Sequence, residues 1–433
     1  MFGYYINLAL HSLRRNPILT ALMVLAIGLG IGASMTMITV LHVMSGDPLP
    51  DRSGQLYYPH LDPWPAPHDR SANPHAGDNL TLPDALSLLR AQRAPLQAAM
   101  SGAAVSIRTE QGGARPSLET GHYVTADFFS MFGVPFHAGS GWTRADDEQR
   151  ARVIALGSTL NRKLFGDTPS VGKIVRLGDA DFRVIGVLDD WHPQPLFYAD
   201  VDGRAFGKAD EFFLPLQTAL DLKLGFNGHL SCRGDGDDDR TSDRCSWLQF
   251  WVKLENPAQV ASYTQFLADY WRQQQAHGRF PQPVNPQLYR LMDWLAYKNV
   301  VPSDVRLQLW LALGFLGVCM VDIVGLLLAK FLRRSNEISV RRALGAKRRH
   351  VFVQFGTEAA AIGVAGGVLG LLIAELGLWS VRQRPDGYAQ LANMDVSMLL
   401  GTFLLAVFTS VLAGLLPAWR ASRIAPAIQL KAQ

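Results

Sequence analysis

The chain has 433 residues, a formal charge of +4 and 18% charged residues, below the roughly 25% usual in soluble domains. Its mean hydropathy of +0.07 averages two apolar ends and a polar middle. The positive excess sits mostly in one short stretch flanked by hydrophobic runs, as membrane topology requires, which argues against a nucleic-acid-binding protein.

Residues 1–16 read as a short amphipathic cytoplasmic segment ending in Arg14, Arg15 and Asn16. Pro17 then opens an apolar run, and Ile18 to Met44 alone makes 27 residues. A signal peptide has a shorter apolar region, about 7–15 residues, and a small-residue cleavage site. Residues 17–44 are therefore expected to be an uncleaved first transmembrane span (TM1). Gly28 and Gly32 form a GxxxG spacing, which lets a neighbouring helix approach closely.

The 262 residues from 45 to 306 contain no stretch able to cross a bilayer and are expected to form an α+β domain with two subdomains. Pro59 to His75 reads as irregular. A helix follows, with Thr81 as N-cap and Pro83 in its first turn. Strand character is expected around 103–107 and 120–124, and a short helix at 126–132 that breaks at Gly133 and Pro135. Residues 152–166 read as strand, turn, helix; 173–190 as two strands around Gly178 and Asp179; 211–216 as a further strand. Residues 247–274 read as strand then helix, joined at Asn256 and Pro257.

Three more spans follow: 307–332 (TM2), 351–381 (TM3) and 396–419 (TM4), each near or above the roughly 20 residues a spanning helix needs. Gly363/Gly367 and Gly366/Gly370 repeat the GxxxG spacing in the third. Between the second and third lies 333–350, where Arg333, Arg334, Arg341, Arg342, Lys347, Arg348 and Arg349 face the single acid Glu337. Short basic segments stay in the cytoplasm. The N-terminus, this loop and the 420–433 tail all carry that signal, which places 45–306 and the 382–395 loop outside. Cys232 and Cys245 then lie in an oxidising compartment, where a disulfide closing their loop is expected.

Residues Glu337 to Ala359, EISVRRALGAKRRHVFVQFGTEA, are similar to the E-I-G-I-R-R-A-L-G-A signature and following F-x-x-E-A of the MacB/FtsX-type (type VII) ABC permeases. Pro417 to Leu430 resembles that family's C-terminal ending, and Tyr123 to Trp142 and Val153 to Asp190 resemble its MacB-like periplasmic core. The family usually has Asn or a small residue where Asp322 stands and Gly where Ser339 stands, and 191–245 has no clear counterpart. The resemblance implies a four-helix permease of a bacterial inner membrane, with porter-like and Sabre-like subdomains in the periplasm. It implies a partner ATPase in two copies, which would supply ATP and Mg, and a second permease copy or paralogue. A periplasmic adaptor and an outer-membrane channel belong to the same picture. The expected function is mechanotransmission for efflux of peptides, antibiotics or similar compounds; the alternatives are lipoprotein extraction and FtsX-like control of a cell-wall hydrolase.

No cofactor, metal or catalytic site is expected in the chain itself. Gly166 to Ile174 is G-x₅-G-K-I, one residue too long for a Walker A loop and without its Ser or Thr, so a turn before a strand is the better reading. Asp235, Asp237 and Asp239 have calcium-loop spacing, but Arg240 stands where Gly is required and no Glu closes the loop. His60, His68 and His75 read as scattered in a Pro-rich segment. The residues expected to seat in an ATPase groove are Glu337, Ile338, Val340, Arg341, Arg342, Leu344 and Gly345. Glu337 and Arg341 stand i,i+4, Val340 and Leu344 form an apolar i,i+4 pair, and Gly345 suits a helix end. The competing reading is a loop that only sets topology and touches anionic lipid. Asp322, a bare acid within a span, is expected to face the bundle hydrogen-bonded rather than to relay protons. Glu358 and Glu375 are expected to reach the membrane interfaces.

Overall fold

The computed structural model describes residues 16–64, 77–109, 117–166, 168–200, 205–234, 239–333, 348–383, 389, 392–394 and 396–422. They form two compact units, one made of the two ends of the chain and one of Ser45–Val300.

The chain opens with helix α1 (Pro17–Ser45) and enters the second unit through strand β1 (Leu56–His60), β2 (Leu80–Thr81) and α2 (Leu82–Ala91). Strands β3 (Leu96–Thr109) and β4 (Ser117–Val124) lead to α3 (Asp127–Phe132), β5 (Phe136–Gly139) and α4 (Arg144–Glu148). Next come β6 (Val153–Leu156), α5 (Ser158–Phe165), β7 (Ile174–Leu177), β8 (Ala180–Leu188), β9 (Phe212–Pro215) and α6 (Leu216–Asp221). Strands β10 (Ser231–Cys232) and β11 (Cys245–Lys253), helix α7 (Pro257–Ala276), β12 (Gln287–Arg290) and α8 (Leu291–Tyr297) complete the unit. Helices α9 (Ser303–Leu332), α10 (Arg348–Arg382) and α11 (Val396–Ser422) follow.

All the described strands of this unit belong to one 12-stranded sheet, ordered β12-β1-β11-β3-β4-β9-β6-β8-β5, with β10 and β2 on β11 and β7 bridging β3 and β8. Its pairing is mostly antiparallel; β4–β9 and β6–β8 are parallel. Strand β3 organises it. Leu96 to Met100 pair with β11, Met100 to Ile107 with β4, and Ile107 to Thr109 with β7. The sheet is therefore continuous, because one 14-residue strand serves both sides. Trp247, Trp251, Trp271, Phe182 and Phe212 are fully buried in the unit.

Local chemistry sets the boundaries. Thr81 Oγ1 accepts from Asp84 N–H at 3.3 Å at the start of α2, and Asn256 Oδ1 accepts from Gln259 N–H at 3.0 Å at the start of α7; each satisfies an otherwise orphaned donor of the first turn. Pro59 and His60 lie in β1, not in an irregular segment. Only Leu56 and Tyr57 pair with β11, whereas Tyr57 to His60 pair with β12. Pro59 thus stands past the reach of β11, where its missing N–H costs no ladder bond on that side.

In the other unit, four helices are long and apolar enough to cross a membrane: Pro17–Ser45, Ser303–Phe331, Arg349–Arg382 and Val396–Arg420. Met23, Ile27 and Ile31 of α1, Ile323 and Leu327 of α9, Phe355 and Ile362 of α10 and Ala406 and Ala413 of α11 form its core. Helix α9 starts before the expected Leu307, because Pro302 precedes a turn that carries Asp304 and Arg306 into the helix.

Candidate functional site

Helix α10 is held on two sides by glycines. A Cβ on Gly28 would lie 2.8 Å from Leu369, and one on Gly32 would lie 2.6 Å from Ile373. Reciprocally, a Cβ on Gly366 would lie 2.5 Å from Ile27, and one on Gly370 would lie 3.3 Å from Ile31. The other face of α10 meets α11, where a Cβ on Gly363 would lie 2.7 Å from Ser410 and one on Gly367 would lie 2.9 Å from Ala406. Hydroxyls add to this packing: Ser410 Oγ donates to the Ala359 carbonyl at 2.6 Å, and Ser34 Oγ donates to that of Ala312 at 3.2 Å. Small residues and cross-helix hydroxyl bonds are how helices adhere in lipid.

The segment expected to couple to an ATPase, with Glu337, Ile338, Val340, Arg341, Arg342, Leu344 and Gly345, lies outside the described residues. What holds its two ends is described. Lys330 on α9 and Glu358 on α10 form an ion pair, with side chains 0% and 1% exposed. One helical turn away, the rings of Phe331 and Phe355 lie 4.0 Å apart. Glu358 therefore does not reach an interface as expected; it is buried in the bundle beside Lys330. Glu375 does lie at an exposed helix end, paired with Arg382. The signal for the Lys330–Glu358 pair was present as one charge of each sign on either side of the basic segment, but Lys330 reads most simply as part of its positive cluster.

Asp322 is also placed differently from the expectation. The buried stripe of α9 is Leu316, Cys319, Ile323 and Leu327, and a residue adjacent to Ile323 turns about 100° away from it. Asp322 is exposed, beside Val318, Val321 and Gly325. No atom comes within 4 Å of a Cβ built on Gly314, Gly317 or Gly325. The same face of α9 also carries Trp310, Leu311 and Phe315, and the outward face of α11 carries Leu400, Leu404, Phe408 and Leu412.

In the sheet unit, Asp78 is a hub. It takes His60 Nε2 at 3.1 Å, Tyr297 Oη at 3.0 Å and Lys298 Nζ at 3.0 Å. Burial opposes ionisation, yet the His60 bond and the Lys298 charge together hold its carboxyl down at about 2. Lys298 also lies 5.7 Å above the Trp294 ring. This hub fixes the last turn of α8, five residues before α9 begins. His60 is thus occupied by Asp78, while His68 and His75 lie outside the described residues. A second buried pair, His122 Nδ1 to Asp210 at 2.8 Å, is joined by Tyr198 Oη at 2.9 Å and ties the stretch after β8 to β4.

Cys232 and Cys245 are disulfide-linked across the β10–β11 pair. Asp239 accepts from Thr241 N–H at 2.9 Å and from its hydroxyl at 2.8 Å; Asp235 and Asp237 lie outside the described residues. Gly172, at φ +91°, turns the chain into β7, and Lys173 Nζ donates to Thr168 Oγ1 at 2.9 Å. Among the described residues no group of three or more His, Cys, Asp or Glu could hold a metal ion.

Residues 20–269 match the model of the MacB-like periplasmic core domain, and residues 309–426 match that of the FtsX-like permease C-terminal domain. The chain belongs to the MacB/FtsX-like permease family. It is 25% identical over 311 residues to the macrolide export ATP-binding/permease protein MacB of Salmonella typhi, covering 70% of this chain and 42% of that protein. It is 26% identical over 308 residues to MacB of Escherichia coli K12, again covering 70% and 42%. The chain thus spans less than half the length of these relatives. The periplasmic region of MacB from Actinobacillus actinomycetemcomitans is similar over 58% of this chain and 98% of its own, with TM-score 0.37 and 15% identity. The extracellular domain of the noncanonic ABC-type transporter YknZ from Gram-positive bacteria is similar over 54% and 98%, with TM-score 0.34 and 17% identity. As a MacB/FtsX-like permease, the protein is an inner-membrane protein with a periplasmic domain.

Proposed function

We propose that this permease converts ATP hydrolysis in a partner subunit into a conformational change of its periplasmic domain, in the service of efflux of peptides, antibiotics or similar compounds. The observation that carries the reading is the Lys330–Glu358 pair. It joins the two helices that flank residues 333–350, so that a force on that segment would move α9 and α10 together. An amphipathic helix laid in an ATPase groove, with Val340 and Leu344 as apolar anchors, would deliver that force. Helix α9 then carries it along the chain toward the Asp78 hub. ATP and Mg belong to the ATPase, and no step of their chemistry falls on this chain.

A second permease copy completes the proposal. The outward face of α9 interleaves open glycines with Trp310, Leu311 and Phe315, and it carries an acid that lipid cannot solvate. A partner helix packed along Gly314, Gly317, Val318 and Gly325 would cover it. An adaptor and an outer-membrane channel would extend the path. Export by the macrolide-export relatives favours efflux over lipoprotein extraction or hydrolase control.

Co-purification tests the reading. The wild-type chain is expected to retain its ATPase through solubilisation and gel filtration, and Glu337→Lys/Leu344→Asp to release it while keeping its fold. Equal retention by both forms would leave 333–350 as a topology signal only.

A further inference from the structure

The periplasmic domain contains a cleft of about 580 Å³, within the size range of small-molecule sites. It opens between α2, the start of β3, the turn after β4, and helices α4 and α6. Leu86 and Leu89 supply an apolar wall, and Gln97, Thr125, Asp127, Asp147 and Gln217 are buried or half-buried polar residues of its lining.

Two acceptors in this lining lack the partners their chemistry favours. Gln97 is 4% exposed. Its amide nitrogen donates to the carbonyls of Leu88 and Leu89 at 3.2 and 2.6 Å, which fixes the orientation of the amide. Its Oε1 is then left buried without a hydrogen-bond partner, an uncommon state for a buried polar atom. Asp147 accepts from two neutral donors, Ala126 N–H at 2.7 Å and Trp142 Nε1–H at 2.8 Å. Among the described residues no cation forms an ion pair with it. Arg144 holds Asp127 with Nε at 2.8 Å and Nη2 at 2.5 Å, and Arg150 holds Asp221 at 2.8 Å. Burial pushes the Asp147 carboxyl up to about 7 against those two donors, and Asp127 and Asp146 add repulsion.

The geometry points to a binding site for a small organic cation, a primary or secondary ammonium on an apolar body. The ammonium donates to Asp147, and the body lies on Leu86 and Leu89. The other charges of the cleft permit this. Arg144 and Arg150 are each neutralised by a carboxylate, exposed Glu148 adds negative charge, and Arg90 is exposed in the last turn of α2, where the helix dipole favours a cation. An ammonium stabilises ionised Asp147, so binding strengthens as pH rises through about 7 and weakens below it.

The test needs no ATPase. The full chain in nanodiscs is titrated calorimetrically with 3-phenylpropylamine and with its neutral analogue 3-phenylpropanol, empty nanodiscs serving as reference. At about pH 8 the amine is expected to bind saturably and at least about tenfold more tightly than the alcohol, the worth of one charge-assisted hydrogen bond. That preference is expected to vanish in Asp147→Asn and to shrink at about pH 6. Glu148→Gln changes an exposed side chain and is expected to weaken the amine about twofold through lost long-range attraction. If Asp147→Asn unfolds, Glu148→Gln and the pH series decide. Equal binding of amine and alcohol, no saturable amine binding at millimolar concentration, or an amine affinity unchanged by pH and by these substitutions would overturn the proposal.

Discussion

Lys330 of α9 and Glu358 of α10 form a buried ion pair between the two helices that flank residues 333–350. Removing one partner of a buried pair strands the other charge and costs about 3–5 kcal/mol. Lys330→Met and Glu358→Leu are each expected to lower the thermal stability of the purified permease sharply. The exchange Lys330→Glu/Glu358→Lys should recover most of the loss, measured by unfolding in detergent. Full tolerance of either single change would show that the pair does not hold the two helices together.

The Asp78 hub makes a prediction with a sign. Its folded carboxyl is held at about 2 against an ordinary value of 3.8, so its stabilisation is present above about pH 4 and is lost as pH falls toward 2. At 1.36 kcal/mol per unit, the effect is about 2 kcal/mol. Asp78→Asn should remove that part of the acid-unfolding slope and, by weakening the ion pair with Lys298, also destabilise the protein at neutral pH. Asp78→Asn/Lys298→Met should be less harmful than Asp78→Asn alone. Unfolding curves across that pH window read both effects.

Glycines at close helix contacts and glycines on open faces should respond differently. Gly28→Leu and Gly366→Leu insert side chains where a single Cβ would already lie within 2.8 Å of a neighbour, and such overpacking costs about 1–3 kcal/mol. Gly314→Leu and Gly317→Leu meet no atom within 4 Å of the new Cβ and should leave the stability of one chain within about 0.5 kcal/mol. If a second copy covers α9, those same two changes should reduce dimers detected by mass photometry, whereas Leu404→Ala on α11 should not.

The Cys232–Cys245 bond closes a loop of 13 residues, for which chain entropy gives about 3 kcal/mol of stabilisation. Cys232→Ser/Cys245→Ser is expected to lose about that much in denaturant unfolding. Adding reductant should lower the wild type toward the variant and leave the variant unchanged. A variant as stable as wild type would mean the loop is held by other contacts.

The spans were legible because each is a long run in which composition alone decides: nothing but lipid or a helix bundle accommodates LQLWLALGFLGVCMVDIVGLLLA. The caps Thr81 and Asn256 were legible because the partners lie within three residues. Strand β3 was only partly so. LQAAMSGAAVSIRT alternates weakly, and its length follows from pairing with β11, β4 and β7, none adjacent in sequence on both sides. Pro59 broke the strand signal, though β1 tolerates it where β11 no longer pairs. The misplacements of Glu358 and Asp322 share one cause. Which face of an apolar helix turns inward is set by the neighbours it meets, and a uniformly apolar span carries no amphipathic stripe to announce it.

The most direct test of mechanotransmission is amide hydrogen exchange in residues 45–300 of the nanodisc-embedded complex with its ATPase, without nucleotide and with the ATPase trapped in its closed state. The expected result is altered protection in α8 and in strands around the Asp78 hub, lost in Glu337→Lys/Leu344→Asp. Unchanged exchange throughout 45–300 while the bound ATPase turns over would contradict the proposal that this permease carries motion across the membrane.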